Sequence, residues 1–504
     1  MSLIGLIFIA LAAAAVFRSQ MAALAVMGVA ALFQAATVMD LGMATIPPGH
    51  VTLAFFILAV VLRVNGLGVA VSALVYPRAG FFLAMLVGWA VISGFVLPRV
   101  FAGMVQVIPL NLIGEYFVKV PLFPRSANLN QSVYFIGNLC AFLFVFGMMK
   151  SPDMLKKAAG AGLIICGANM AIAILDSFTF AIGQPNLLDF MRNAGYSQLF
   201  GATVMGLKRM TGSFTEASAF SAMAVGLFAF AFRLWRGGVY TKWSGPLSIA
   251  LALGVVLAFS STGFVAFGVY FIVTYSLNLV SNAGGGGVSG ARSRRMVFVS
   301  LAPIGALAIA VLVALRPDLL DPVAELFDSS IVTKLSSASG QERMAWNLSG
   351  ISNFFNTFGL GVGLGSVRTS SFLVSVPANL GVIGILLYGA FFYRLFFSSN
   401  GQRWGHIDPE SEQIVAAARS SCFALLIAAA VSSSTMDLGL IFHIMAGIAC
   451  SSPAYFMRQN ARLMDPEEAV EFDALGNAQG FEGYPESVNP RSRKTVTRLR
   501  RCIS

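Results

Sequence analysis

The chain has 504 residues, of which 57% are hydrophobic and only 11% charged. Soluble domains carry about 25% charged residues, so a soluble globular protein is excluded and an all-α polytopic membrane protein is indicated. The excess of 33 Lys and Arg over 22 Asp and Glu, a net +11, falls in short clusters between apolar runs, the pattern of bilayer topology rather than of nucleic-acid binding.

The first residues, MSLIGLIFIALAAAAVF, lack a basic leader region and read as a first membrane helix rather than a cleaved signal. A spanning helix needs roughly 20 apolar residues. Candidates follow near 2–17, 20–38, 51–70, 79–97, 131–149, 156–175, 216–234, 245–259, 262–280, 297–315, 375–397, 414–433 and 438–457. The count is about 13, within 12–14. The pair at 245–280 is divided at Ser260 to Gly263, and 101–113, with Pro109, reads as interfacial or re-entrant.

The basic loops set the orientation. Clusters at 150–157, 233–243, 290–295 and 393–403, and the Arg-rich end of the chain, are expected on the cytoplasmic side, which places 99–130, 176–215 and 316–374 outside. The expected division is a membrane domain over 1–457, with a cytoplasmic linker at 282–296, and a polar, disordered cytoplasmic tail over 458–504. The large external loop, 316–374, contains DPVAELFDSSIVTKL and GQERMAWNLSGISNFF, whose spacing predicts amphipathic helices over the outer face.

Chemistry gathers at two places. In KRMTGSFTEASAF, Lys208 to Phe220, Ser213 and Glu216 have capping-box spacing, with Ser213 as the expected N-cap and Glu216 at N3. A helix N-terminus beside Lys208 and Arg209 makes an external anion cradle, and a guanidinium fork suits phosphate oxygens. Farther on, Arg343 and Trp346 share a helix face, and four alternating glycines, Gly359 to Gly365, precede Arg368, Thr369, Ser370 and Ser371. No Gly-Lys-Ser/Thr follows the glycines and no βαβ unit surrounds them, so neither a Walker loop nor a dinucleotide fingerprint is present. Five cysteines stand singly and the three histidines, His50, His406 and His443, look isolated, so no metal site is expected.

Arg209-Met-Thr-Gly212-Ser-Phe214-Thr-Glu216 resembles the Arg-x-x-Gly-x-Phe-x-Glu signature of the O-antigen ligase and Wzy-type polysaccharide polymerase superfamily. Arg343-Met-Ala-Trp346, the run Gly359-Leu-Gly361-Val-Gly363, and Gly381-Val-Ile-Gly384 resemble its second half, and the polar break at 260–263 is similar to its short break between two spans. The resemblance implies a GT-C-like glycosyltransferase acting at the outer face of a bacterial inner membrane on glycans carried by polyprenyl pyrophosphate, with no metal, cofactor or nucleotide sugar. Arg209 and Arg343 would hold the pyrophosphate as it leaves the anomeric carbon, where developing negative charge needs fixed cations. Lys208, Gly212, Ser213, Arg368 and Ser370 complete the expected substrate-binding set.

Ligases of the superfamily carry His-[Asn/Ser/Gln], nine residues, then Gly-x-x-Gly. Counting back from Gly381 and Gly384 puts Ser370 where the histidine belongs, and a serine is no base unaided. Polymerisation of repeat units into an O-antigen, capsule or exopolysaccharide is therefore favoured over ligation. Glu216 and Asp437 are the candidates to take the acceptor's proton, with Asp176 a weaker one. Membrane lipid, a flippase and a chain-length regulator are the expected partners. A lipid-linked oligosaccharide flippase is the rival from another class; transporters place charges at mid-bilayer and break their helices there, and Arg63 is the main such charge in this sequence.

Overall fold

The computed structural model describes residues 1–40, 45–63, 66–110, 118–195, 198–204, 206–280, 338–397 and 408–451. The expected span at 297–315, the cytoplasmic linker, the first part of the external loop and the tail lie outside the described residues.

The chain opens with an antiparallel pair, α1 (Leu3–Arg18) and α2 (Gln20–Ala30), hinged at Ser19, whose hydroxyl accepts the Ala22 N–H and starts the second helix. Helices α3 (Pro48–Arg63), α4 (Gly66–Ser72), α5 (Ala79–Val100), α6 (Ser126–Met148) and α7 (Pro152–Ala181) follow. Next come α8 (Ala217–Gly237), α9 (Thr241–Leu257) and α10 (Ser261–Val280). After the gap, α11 (Ala338–Asn356), α12 (Phe372–Phe396), α13 (Pro409–Val431) and α14 (Gly439–Cys450) complete the described fold. Three two-residue hairpins, 39–40 with 45–46, 106–107 with 120–121 and 203–204 with 207–208, fold the connections at one end of the bundle. We call it the site end.

Among the described residues six helices, α5, α6, α7, α8, α12 and α13, are long and apolar enough to cross a membrane, and six shorter ones are apolar throughout. The protein is accordingly a mostly helical, multi-pass membrane protein. Helix α8 is the most enclosed, packed by α9 on one side and α13 on the other. The segment at 101–113 is not a span: turns at 101–104 lead into the hairpin at 106–107. Arg63 donates to the Phe17 carbonyl at 2.8 Å and so lies at the end opposite the site, away from mid-bundle.

Two breaks in helical regularity shape the site end. At Gly381, φ is +65° and α12 kinks, so the carbonyls of Ala378 and Asn379 turn outward and accept the N–H groups of Val362 and Gly363, both at 2.9 Å. A Cβ on Gly381 would stand 2.3 Å from the Gly359 carbonyl oxygen, and one on Gly363 would stand 2.5 Å from that of Ser93. Only glycine allows both the positive φ and the close approach. The glycine run is a buried knot joining α5, α6 and α12, and Asn128 pins it by donating to Leu364 O at 2.6 Å and to Ser366 Oγ at 2.8 Å.

The second break lies between α13 and α14. Ser433 N–H donates to Ser370 O at 3.2 Å and Ser371 Oγ to Ala430 O at 2.7 Å, fixing this strand at the level where α12 begins. Three residues on, Met436 O accepts the Tyr388 hydroxyl at 2.7 Å, about four turns into α12. The polar strand 432–437 therefore runs inward, and α14 starts mid-bundle. Its 12 residues span about 18 Å against a hydrocarbon core of about 30 Å.

Candidate functional site

The stretch that links the hairpin at 203–208 to α8 is held by one buried carboxylate. Asp176, near the site end of α7, accepts Thr211 Oγ1 at 2.9 Å and the Gly212 N–H at 3.0 Å on Oδ2. Its Oδ1 is ion-paired with both Arg192 and Lys208. Lys208 also donates to the Asp176 carbonyl at 3.2 Å, and Arg192 to the Gly212 carbonyl at 3.1 Å. Each of the three charged side chains is at most 5% exposed. Burial pulls the Lys208 ammonium below its ordinary pKa, and Asp176 pulls it back up.

This arrangement corrects the expected cradle. Lys208 faces Asp176, not a ligand, and the Gly212 N–H is already accepted. Ser213 is not an N-cap: its hydroxyl donates to the Leu32 carbonyl at 2.9 Å while its own carbonyl accepts the Ala35 N–H, tying the loop to the end of α2. The helix begins three residues later than the capping box implied, with Glu216 in the N-cap position and its carboxylate receiving the Ser218 hydroxyl. Asp176, ranked weakest as a base, turns out to order the loop, a role that 36 residues of separation from Gly212 hid from the sequence.

With Lys208 withdrawn, Arg209 points the other way. Its Nε donates to Ala258 O at 3.1 Å, at the end of α9, while its backbone N–H donates to Ala202 O at 3.0 Å. The charges that act on it come from distant segments: Glu216 at the start of α8 and Arg343 on α11. Burial holds the Arg209 guanidinium below its ordinary pKa, Glu216 opposes the shift and the like charge of Arg343 adds to it.

Arg368 completes the cluster. Its backbone N–H donates to Ile108 O at 2.8 Å, and its guanidinium carbon stands 4.4 Å from the centre of the Trp346 ring. Trp346 is 8% exposed, so it is a plate for Arg368 and not a membrane anchor. Burial lowers the Arg368 pKa, Glu216 and Glu342 oppose this, and Arg343 again adds to it. Ser370, two residues on, is buried, and its N–H donates to Asn347 Oδ1 at 2.8 Å, which docks α11 against the start of α12.

Arg209, Arg343 and Arg368 thus come from three separate segments, and the charges of Arg343 and Glu216 act on both Arg209 and Arg368, with Glu342 acting on Arg368 as well. In a partly desolvated setting such like charges raise one another's energy, and an anion with several oxygens relieves them.

Asp437 belongs elsewhere. Its Oδ2 accepts Asn138 Nδ2 at 2.6 Å and its Oδ1 the Gly439 N–H at 3.0 Å. His443 Nδ1 lies 4.0 Å from Oδ1, and His50, near the start of α3, is within reach of the Asp437 charge. His443, which looks isolated in sequence, therefore lies beside the Asp437 carboxylate, and His50 from α3 feels its charge.

Comparison with known protein families and with curated proteins returns no match to this chain.

Proposed function

We propose that the chain is a metal-independent, GT-C-like polysaccharide polymerase of about 13 spans, joining polyprenyl-pyrophosphate-linked repeat units at the outer face of a bacterial inner membrane. One observation carries this reading: Arg209 and Arg368, both largely buried, lie within electrostatic reach of Arg343 and Glu216 at one end of an apolar bundle. A membrane-anchored pyrophosphate is a multi-oxygen anion presented at that level.

In this reading an acceptor hydroxyl attacks the anomeric carbon of the donor sugar. The bond from that carbon to the pyrophosphate oxygen breaks, the pyrophosphate leaves with the electron pair, and the arginines stabilise the charge that develops on it. A single displacement inverts the anomeric centre. Arg368, braced by Trp346 and by the glycine knot, supplies a cation whose position is set before substrate arrives.

The superfamily's ligases need a histidine at the place Ser370 occupies, which supports polymerase over ligase. The flippase reading draws on one feature, the half-length α14 with Asp437 and His443 at mid-bundle. A deletion strain complemented with wild type, Arg209→Ala or Arg343→Ala separates the three. A polymerase leaves only single repeat units on the exported or transferred glycan in the deletion and both variants. A missing ligase leaves full-length polymer on the lipid carrier, and a missing flippase leaves single lipid-linked units facing the cytoplasm.

A further inference from the structure

Glycosyl transfer between neutral hydroxyl and pyrophosphate leaves a proton to be placed, and Glu216, receiving the Ser218 hydroxyl and acting electrostatically on Arg209 and Arg368, is occupied. The strand 432–437 leads from Ser370 to another set of groups. Ser432, Ser433, Ser434 and Thr435 are half-buried along it. Ser433 Oγ donates to Thr435 O at 2.7 Å and Thr435 Oγ1 to Asp437 O at 3.3 Å. The strand ends at Asp437, which Asn138 holds about 18 Å along the 23-residue α6.

A carboxylate at mid-bilayer is expensive and is kept where it has a partner and a task. Here the partner is His443, 1% exposed. Its Nδ1 stands 2.8 Å from the Gly439 carbonyl, which can only accept, so Nδ1 carries hydrogen and the lone pair of the neutral ring is on Nε2. A proton arriving at Nε2 makes an imidazolium beside the Asp437 carboxylate, itself oriented by Asn138 Nδ2 and the Gly439 N–H. This is the division of labour between an imidazole that takes a proton and a carboxylate that supports its charge.

We propose that Asp437 and His443 form a protonatable pair inside the bundle, reached from the arginine site along the polar strand 432–437, with His443 Nε2 taking the proton that the acceptor hydroxyl gives up. This role rests on the polymerase reading. The balance is simple: the acceptor O–H breaks, its oxygen joins the anomeric carbon, the pyrophosphate leaves, and the proton resides on His443 until it returns to water. The other polar and titratable groups near the pair are His50 from α3, Asn138 from α6, Tyr388 from α12 and Cys422 from α13, whose Sγ donates to Phe442 O. His443 is a positioning and proton-holding residue, since nothing places it against the sugar.

The chain has three histidines, so nitrogen NMR of histidine-labelled, purified full-length protein, with His443→Gln to assign its signals, reads the ring directly. The expected result is the Nδ1–H tautomer, gaining a second proton reversibly on acidification at a pH that falls in Asp437→Asn. In membranes supplied with lipid-linked repeat units, the pH profile of polymer formation shifts in Asp437→Asn, and Asp437→Glu restores most of it. An Nε2–H tautomer, a ring that stays neutral until the protein unfolds, or a titration indifferent to Asp437→Asn overturns the pair. A pair that titrates as expected while the polymerisation profile stays fixed overturns its role in the transfer. If wild-type membranes form no polymer, it is the functional reading that fails, and the NMR titration still decides the pair.

Discussion

Two cation-rich clusters lie side by side at the site end and behave as opposites. Around Asp176, two cations, a hydroxyl and a backbone N–H converge on a single carboxylate. The charges are buried, and both cations contact the carboxylate directly. Near Glu216, the charges of that carboxylate and of Arg343 act on both Arg209 and Arg368, and burial with the like charge of Arg343 lowers both pKa values. Adjacent residues, Lys208 and Arg209, fall into different clusters because successive side chains on an extended segment point to opposite faces. The first cluster builds the loop through direct contacts to Asp176, whereas the groups of the second act on one another through charge. Basic residues in a binding motif therefore need sorting by what already satisfies them.

The sharpest test of that contrast is Asp176→Ala. Removing one member of a buried ion network leaves Lys208 and Arg192 uncompensated, a loss of about 3–5 kcal/mol. The expected outcome is loss of folded protein in detergent, read by thermal unfolding, with polymer lost as a consequence. Arg209→Ala and Arg343→Ala should do the reverse, abolishing polymer while protein level and melting temperature stay near wild type. Arg209→Lys and Arg343→Lys should rescue poorly, because a point charge does not reproduce the bidentate fork. Normal polymer in both alanine variants would remove the arginines from the proposed site.

Pyrophosphate itself distinguishes the clusters. An anion that binds only the folded protein raises its stability by mass action, so millimolar pyrophosphate should raise the melting temperature of wild type. Arg209→Ala should lose most of that rise. Trp346→Ala should lose part of it, since a cation over an aromatic face contributes about 0.5–2 kcal/mol. Lys208→Gln, compared with its own ligand-free melting temperature, should keep the full rise. Smallest of all, Ser213→Ala removes one hydrogen bond to Leu32 O and should cost about 1 kcal/mol of stability, with the length distribution of the polymer unchanged.

Much of the architecture could be read along the chain. The predicted spans at 79–97, 131–149, 156–175, 216–234 and 414–433 coincide with long helices. The amphipathic character of 340–355 is realised in α11, with Met344, Leu348, Ile351 and Phe355 exposed along one stripe. Legibility fell where a feature depends on distant partners. The capping box at 213–216 satisfied a local rule, yet the Leu32 carbonyl captured Ser213 and moved the helix start. The expected span 438–457 proved to be a helix starting at mid-bundle, because periodicity reports apolarity and not depth.

Composition and hydrophobic run length by themselves determined a multi-pass helical membrane protein, because an apolar chain in a bilayer must satisfy its backbone within each segment. The spacing of Arg, Gly, Phe and Glu also marked the segments where chemistry collects. Only the tertiary structure decided which of those residues are available. It joined Lys208 to Asp176, set Arg368 on Trp346, brought Glu216 and Arg343 within electrostatic reach of Arg209 and Arg368, and drew His443 and Asp437 together inside the bundle. Charge and hydrogen-bond partners act over a few ångströms in space, and separations of tens to hundreds of residues carry no local signal of who will meet.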